Sequence, residues 1–236
     1  MLLARSIAFN IAMFGSGLIL SLYGTALKYL APARLPGLGR FWARFTLAAL
    51  RVCCNIDLQI TGAENLPRGQ GAIIAAQHQS ALDIMVWLSL LDAPAYVMKQ
   101  ELLRIPLFGP LLLPAGMIAV DRAGAAGALR KMVAECRLAV AAGRPIVIFP
   151  EGTRVAPGAR VPLQPGIVAL AKALGVPVIP AGTNSGTRWG RLAFRKTPGS
   201  VRLTILPALP PSLPREAILD ALETCFYGPP EPPPAD

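Results

Sequence analysis

The chain holds a single histidine, His78, five residues before Asp83 in Gln77-His78-Gln79-Ser80-Ala81-Leu82-Asp83. An imidazole moves protons near neutral pH better than any other side chain. General-base chemistry by an imidazole therefore has one candidate here. The spacing fits a chain that leaves a strand, turns through Gln79-Ser80 and starts a helix near Leu82. Such a turn folds a carboxylate back onto one ring nitrogen. The carboxylate then fixes the tautomer, stabilises the imidazolium and leaves the other nitrogen free as a base. A substrate hydroxyl can supply the nucleophile. The same spacing also occurs at an ordinary capped helix start.

A second group of candidates is Phe149-Pro150-Glu151-Gly152-Thr153-Arg154, directly after the apolar run Ile146-Val147-Ile148. It offers a flexible glycine, a hydroxyl and a guanidinium whose planar fork binds phosphate oxygens in pairs. A plain surface turn is the competing reading. Arg122, after Asp121, is a candidate second phosphate clamp or half of a surface ion pair. Lys99 is a candidate third cation or a solvated lysine. The loop Asn184–Arg191 either touches a nucleotide-bearing ligand or lipid headgroups, or is simply solvated.

Strand-like runs at 56–61, 72–76, 95–98, 116–120, 146–149, 176–181 and 201–206 position these residues. Helix-like runs occur at 83–91, 124–142, 165–174 and 214–227. This alternation predicts one α/β domain with a central, mostly parallel sheet flanked by helices. The stretch Val176-Pro177-Val178-Ile179-Pro180 reads as a core strand bounded by prolines. In open α/β sheets, polar groups at strand ends collect in one crevice. His78, Asp121-Arg122 and Glu151–Arg154 each follow a predicted strand, so they are expected to meet there. The proline-rich tail 229–236 cannot continue a helix.

Apolar residues make up 53% of the chain and charged residues 15%, with a net charge of +10. That balance points to membrane association. No acid precedes Asp57, and none lies between Glu151 and Glu216. Two basic, acid-free stretches suit an anionic partner: a lipid surface or a phosphate-bearing substrate. Nucleic acid is not expected, because no zinc-finger, basic-zipper or RNP pattern surrounds the basic residues. Cys53, Cys54, Cys136 and Cys225 have no metal-site spacing, and one histidine cannot complete such a site. They read as thiols in a reducing compartment.

Residues 6–27 carry no formal charge. At 1.5 Å per residue they reach about 33 Å, enough to cross a hydrocarbon core. The run is long for a signal peptide, and no clear cleavage site follows. A second, amphipathic stretch at 38–52 mixes Phe41, Trp42 and Phe45 with Arg40, Arg44 and Arg51. Pro32, Pro36, Gly37 and Gly39 are expected to separate the two. Residues 1–52 therefore read as a two-helix membrane anchor ahead of an α/β domain at 53–228. Whether the first helix spans the bilayer or dips into one leaflet is open, and a buried core helix is the alternative.

Four segments resemble, in order, the four blocks of the glycerolipid acyltransferases. They are His78–Asp83, Gly116-Met117-Ile118-Ala119-Val120-Asp121-Arg122, Phe149–Arg154 and Val176–Pro180. The resemblance is nearest to the bacterial 1-acyl-sn-glycerol-3-phosphate (lysophosphatidate) acyltransferases, and the two-helix anchor also resembles theirs. It implies that His78 is the general base for the sn-2 hydroxyl of lysophosphatidate and that Asp83 orients it. The freed oxygen would attack the thioester of acyl-CoA or acyl-carrier protein, without an acyl-enzyme, and form phosphatidate. Arg122, Arg154 and Lys99 would hold the acceptor phosphate; Glu151, Gly152 and Thr153 would shape the acceptor pocket. No metal or redox cofactor is implied. The implied location is the inner (cytoplasmic) membrane, with the catalytic domain on the cytoplasmic side. Two positions depart from the family pattern: Gln77, where asparagine is frequent, and Gln164 before Pro165-Gly166, where a lysine often precedes the glycine. Another lysolipid acceptor, such as lyso-ornithine lipid, is an alternative. So is a non-catalytic membrane-binding protein, which has no need for His78 and Asp83.

Overall fold

The computed structural model describes residues 1–121 and 125–228. Two helices come first, α1 (Leu2–Leu30) and α2 (Leu35–Cys54). Seven strands follow: β1 (Ile56–Thr61), β2 (Ile73–Ala76), β3 (Ala95–Lys99), β4 (Ile118–Val120), β5 (Ile146–Ile148), β6 (Val178–Thr183) and β7 (Gly199–Ile205). They form one sheet in the order β1-β7-β6-β2-β5-β3-β4. Strands β6, β2, β5, β3 and β4 run parallel. β7 pairs antiparallel with β6, and β1 runs parallel to β7. The five parallel strands thus end on one edge of the sheet.

The central strand β2 is buried at every position. Its run Ile73-Ile74-Ala75-Ala76 is apolar throughout because helices cover both faces of the sheet. The pleat sends Ile74 and Ala76 to one side, where they meet Leu82, Val86 and Trp87 of α3 (Leu82–Leu90) and Phe9, Met13 and Leu50 of α1 and α2. Ile73 and Ala75 go to the other side. There α5 (Ala125–Ala141), α6 (Gly166–Leu174) and α7 (Arg215–Tyr227) supply Met132, Ile167, Leu170, Ile218 and Leu222. Each fully buried aliphatic or aromatic side chain contributes about 1.5–3 kcal/mol. A short helix, α4 (Gly109–Leu112), lies between β3 and β4.

The helix break in the first 52 residues is shorter than expected. α1 ends at Leu30, a 3-10 turn covers Pro32–Arg34, and α2 already begins at Leu35. Pro36 falls in the first turn of α2, where its missing N–H has no helical partner to lose. Gly37 and Gly39 are carried inside the helix, at about 1 kcal/mol each relative to alanine.

α1 is long and apolar enough to cross a membrane, with a mean hydropathy of 1.6; 22% of its apolar window is buried. Its buried residues Ser6, Phe9, Asn10, Met13, Ser21, Gly24 and Leu27 recur along one side, as expected for a helix lying against a surface. The Trp42 indole N–H donates to Met13 O and Ser16 Oγ, at 3.4 and 3.2 Å. Phe9 meets Trp189 edge-on at 5.3 Å. Buried Lys196 donates to Asn10 Oδ1 at 2.7 Å and lies 4.7 Å from the centre of the Trp189 ring. α1 is therefore fastened to the α/β domain.

Candidate active site

β2 stops at Ala76, and the chain turns across the sheet edge. Gln77 ties the turn to two neighbours: its Nε2 donates to Phe226 O at 2.8 Å, and its Oε1 accepts the Thr183 N–H at 2.9 Å. His78 is then held from both sides. Its own N–H donates to Glu151 Oε2 at 2.5 Å, and its carbonyl accepts the Val155 N–H at 2.8 Å. The imidazole stacks on Phe149, with centroids 4.0 Å apart and planes 18° from parallel. Nδ1 lies 3.0 Å from Asp83 Oδ2. With Nδ1–H assigned as the donor, Nε2 carries the free lone pair. Nε2 has no partner among the described residues, and the side chain is 12% exposed.

Asp83 sits in the first turn of α3, where the helix dipole favours a carboxylate. Its Oδ2 also accepts the N–H groups of Gln79 and Ser80, each at 2.8 Å. Its Oδ1 accepts the Ser185 hydroxyl at 2.5 Å. An acceptor with four donors cannot rotate away from the imidazole. Asp83 thus ties the turn ahead of α3 to the imidazole, while Ala81 at the N-cap of α3 offers no side-chain cap.

Glu151 is a second carboxylate on His78, acting on the backbone instead of the ring. It is 4% exposed. Its Oε1 accepts the Tyr227 hydroxyl at 2.9 Å. Burial pushes its carboxyl up to about 7, against the lowering effect of the His78 N–H and the Tyr227 hydroxyl. Burial and the neighbouring Glu151 push the Tyr227 phenol well up. Both Glu151 oxygens are engaged, so its contact with the pocket runs through His78. Gly152 closes the turn from Phe149 with φ 70°, the left-handed region that suits glycine, and Thr153 is exposed.

Arg154 is half-buried and has no hydrogen-bond or ion-pair partner among the described residues. Burial lowers its guanidinium from the ordinary value; Asp83 raises it and Arg191 lowers it. Its charge is thus within electrostatic reach of the dyad. Lys99 is exposed at the end of β3, two strands from β2, a spacing of about 10 Å. Asp121 follows β4, the edge strand of the sheet, directly after Val120. Arg122 lies outside the described residues, as does the tail 229–236.

Sequence reasoning missed Ser185, Gln79 and Tyr227. The sequence leaves the loop after β6 as a contact for a nucleotide or lipid headgroup, or as a solvated turn. Its start instead packs on the dyad: Ser185 is buried against Asp83, and Gln79 Oε1 accepts the Gly186 N–H at 3.1 Å. Ser185 is 102 residues from Asp83 and Tyr227 is 76 from Glu151. No local spacing announces either contact. Gln77, noted only as a departure from a pattern, joins β2, β6 and α7.

Residues 57–184 match the Acyltransferase family model. The chain is 31% identical over 211 residues to the 1-acyl-sn-glycerol-3-phosphate acyltransferase of Pseudomonas aeruginosa, covering 87% of this chain and 80% of that protein. It is 27% identical over 169 residues to human 1-acyl-sn-glycerol-3-phosphate acyltransferase alpha, covering 71% of this chain and 60% of that one. In fold it is similar to the crystal structure of the 1-acyl-sn-glycerophosphate acyltransferase PlsC from Thermotoga maritima. The TM-score is 0.71 and the identity 22%, over 96% of this chain and 93% of that chain.

Proposed function

The chain belongs to the acyltransferase family, and from that premise we propose that it acylates the sn-2 hydroxyl of 1-acyl-sn-glycerol-3-phosphate to form phosphatidate. The acyl donor is acyl-CoA or acyl-carrier protein. The observation that carries the reading is the His78–Asp83 pair, with Nδ1 held at 3.0 Å and Nε2 without a partner among the described residues, together with the Arg154 charge that acts on Asp83. Nε2 takes the proton from the acceptor hydroxyl. The oxygen attacks the thioester carbonyl, a C–O bond forms, the C–S bond breaks, and the thiolate leaves with the proton. Asp83 holds the imidazole in place and stabilises its cationic form. Glu151 holds the backbone beneath it.

Arg154, whose charge acts on Asp83, is assigned to the acceptor phosphate. Arg122 and Lys99 keep that assignment by resemblance alone. Gly152 and Thr153 form the mouth of the acceptor site. Residues 1–52 act as the anchor, 53–228 as the catalytic unit and 229–236 as a tail. The membrane is the inner one and the catalytic unit faces the cytoplasm, where both donor types occur.

The test is direct. Purified protein receives lysophosphatidate, lyso-ornithine lipid and other lysolipids, each with acyl-CoA and with acyl-carrier protein, and products are identified by mass. Phosphatidate from lysophosphatidate is the expected product. Preference for an acceptor that lacks phosphate would sink the assignment of Arg154.

A further inference from the structure

Two loops of the α/β domain share an unusual backbone. Leu107 has φ 62° and Leu192 has φ 57°, in the left-handed region that bulky residues rarely take. Leu107 is the central residue of a three-residue turn, closed by the Phe108 N–H on Pro106 O at 2.7 Å. With positive φ at its centre, that turn is of the rare, strained kind. Leu192 is the third residue of a turn closed by the Ala193 N–H on Gly190 O at 3.1 Å, where glycine is the usual occupant. Burial does not offset the strain: Leu192 is 87% exposed and Leu107 39%. Strained positions whose gain is missing from the isolated molecule point to function.

The surroundings say which partner fits. Phe194 is exposed beside Leu192, with Arg191 and Arg195 also exposed, and that loop contains no acid. Leu102, Ile105 and Phe108 are exposed beside Leu107, with Arg104 among them. Both loops abut α1, at opposite ends. Trp189 and Lys196 hold Phe9 and Asn10; Leu111, just past the Leu107 turn, packs with Leu27. Between them α1 leaves Ile11, Phe14, Leu18 and Leu22 uncovered.

We propose that the loops 102–108 and 190–195 are membrane-insertion loops. Leu107 and Leu192 enter the acyl region of an anionic bilayer, while Arg104, Arg191 and Arg195 meet its headgroup phosphates. Because the loops grip α1 near both ends, helix and loops enter the same leaflet. The Leu192 loop continues from Ser185, so this docking seats the bilayer beside the dyad. The inference rests on the reading that the acceptor is drawn from a bilayer.

The experiment uses the full chain with vesicles of phosphatidylglycerol and phosphatidylcholine. Leu192→Trp and Leu107→Trp are compared with wild type, whose Trp42, Trp87 and Trp189 set the background. Lipids brominated on their acyl chains should remove most of the added emission, and aqueous iodide should leave it. The reverse pattern overturns the proposal. So does a wild-type protein that fails to float with the vesicles, and that result also removes the bilayer reading.

A second variant reads the consequence. The double change Leu107→Gly and Leu192→Gly relaxes both turns, so folding is retained, but it deletes the inserting side chains. Activity on a vesicle-borne acceptor should fall about tenfold or more, the scale of one lost leucine burial. Activity on a short-chain acceptor dispersed as monomers should not change. Equal loss on both acceptors, or no loss on vesicles, overturns the proposal. A wild type that turns over neither acceptor counts against the assigned reaction, while the quenching result still decides insertion.

Discussion

Where β2, β5 and β6 end, buried polar groups are matched with partners; along α1 and its two flanking loops, large apolar side chains are left without any. Asp83 has four donors and Glu151 two. The buried side-chain atoms lacking a partner among the described residues are Arg40 Nε and Thr46 Oγ1, both on α2 and neither in the crevice. A matched polar cluster costs little to keep rigid, and proton transfer needs that rigidity. An unmatched apolar face gains only when something covers it. One region is complete in the isolated protein, and the other is finished by its surroundings. Changes in the crevice should therefore alter rate and leave membrane binding alone.

His78→Ala is the largest test of that separation. Loss of the only imidazole should lower kcat/KM by about 10³-fold or more, within the range for a positioned general base. Flotation with vesicles should match wild type. A variant that keeps near-normal turnover would remove His78 from the chemistry. One that turns over poorly and also leaves the membrane would merge the two regions.

Arg154→Ala should come next. A charge-assisted hydrogen bond contributes about 1.5–3 kcal/mol, so KM for the phosphorylated acceptor should rise by about ten- to a hundredfold. KM for the acyl donor should hold steady. A rise in donor KM alone would move Arg154 to the donor's side of the crevice.

Ser185→Ala is a finer probe. The hydroxyl donates to the Asp83 carboxylate behind the imidazole, so its loss should slow turnover about tenfold, the low end for a hydrogen bond to a charged group. KM values should stay level, and Ser185→Thr should restore most of the rate. Ser185 also begins the loop that reaches Trp189 and α1. If Ser185→Ala disturbed flotation as well, the crevice and the docking face would be mechanically joined through that loop.

The reach of the sequence follows the same division. The strands were legible because β2 to β6 are short, mostly apolar runs while β1 and β7 alternate apolar with polar residues, and His78–Asp83 was legible because five residues form one local turn. Ser185 and Tyr227 were not, since their contacts depend on β6 lying beside β2 and on where α7 ends. Strand order is a property of the whole chain, and no window of residues carries it. The exposed face of α1 was visible as an uncharged run, but the hold that Phe9 and Asn10 have on the domain was not.

The smallest expected effect comes from Tyr227→Phe, and its pH dependence locates it in the crevice. The Glu151 carboxyl stands at about 7 in the fold against 4.5 ordinarily. Between those values the folded chain holds a proton that the unfolded chain has released. Stability from this group is therefore full below about pH 4.5 and is lost as pH rises through about 7. At about 1.4 kcal/mol per unit, the loss is on the order of 3–4 kcal/mol. The Tyr227 hydroxyl favours the charged carboxylate, so removing it should push Glu151 higher and carry the decline to higher pH. Thermal unfolding in detergent should show Tyr227→Phe close to wild type near pH 5 and less stable by about 1 kcal/mol near pH 9. A gap of the same size at every pH would mean that Glu151 does not titrate with the fold. The pH sensitivity would then have to come from elsewhere in the chain, and burial in the crevice would lose its role as the cause.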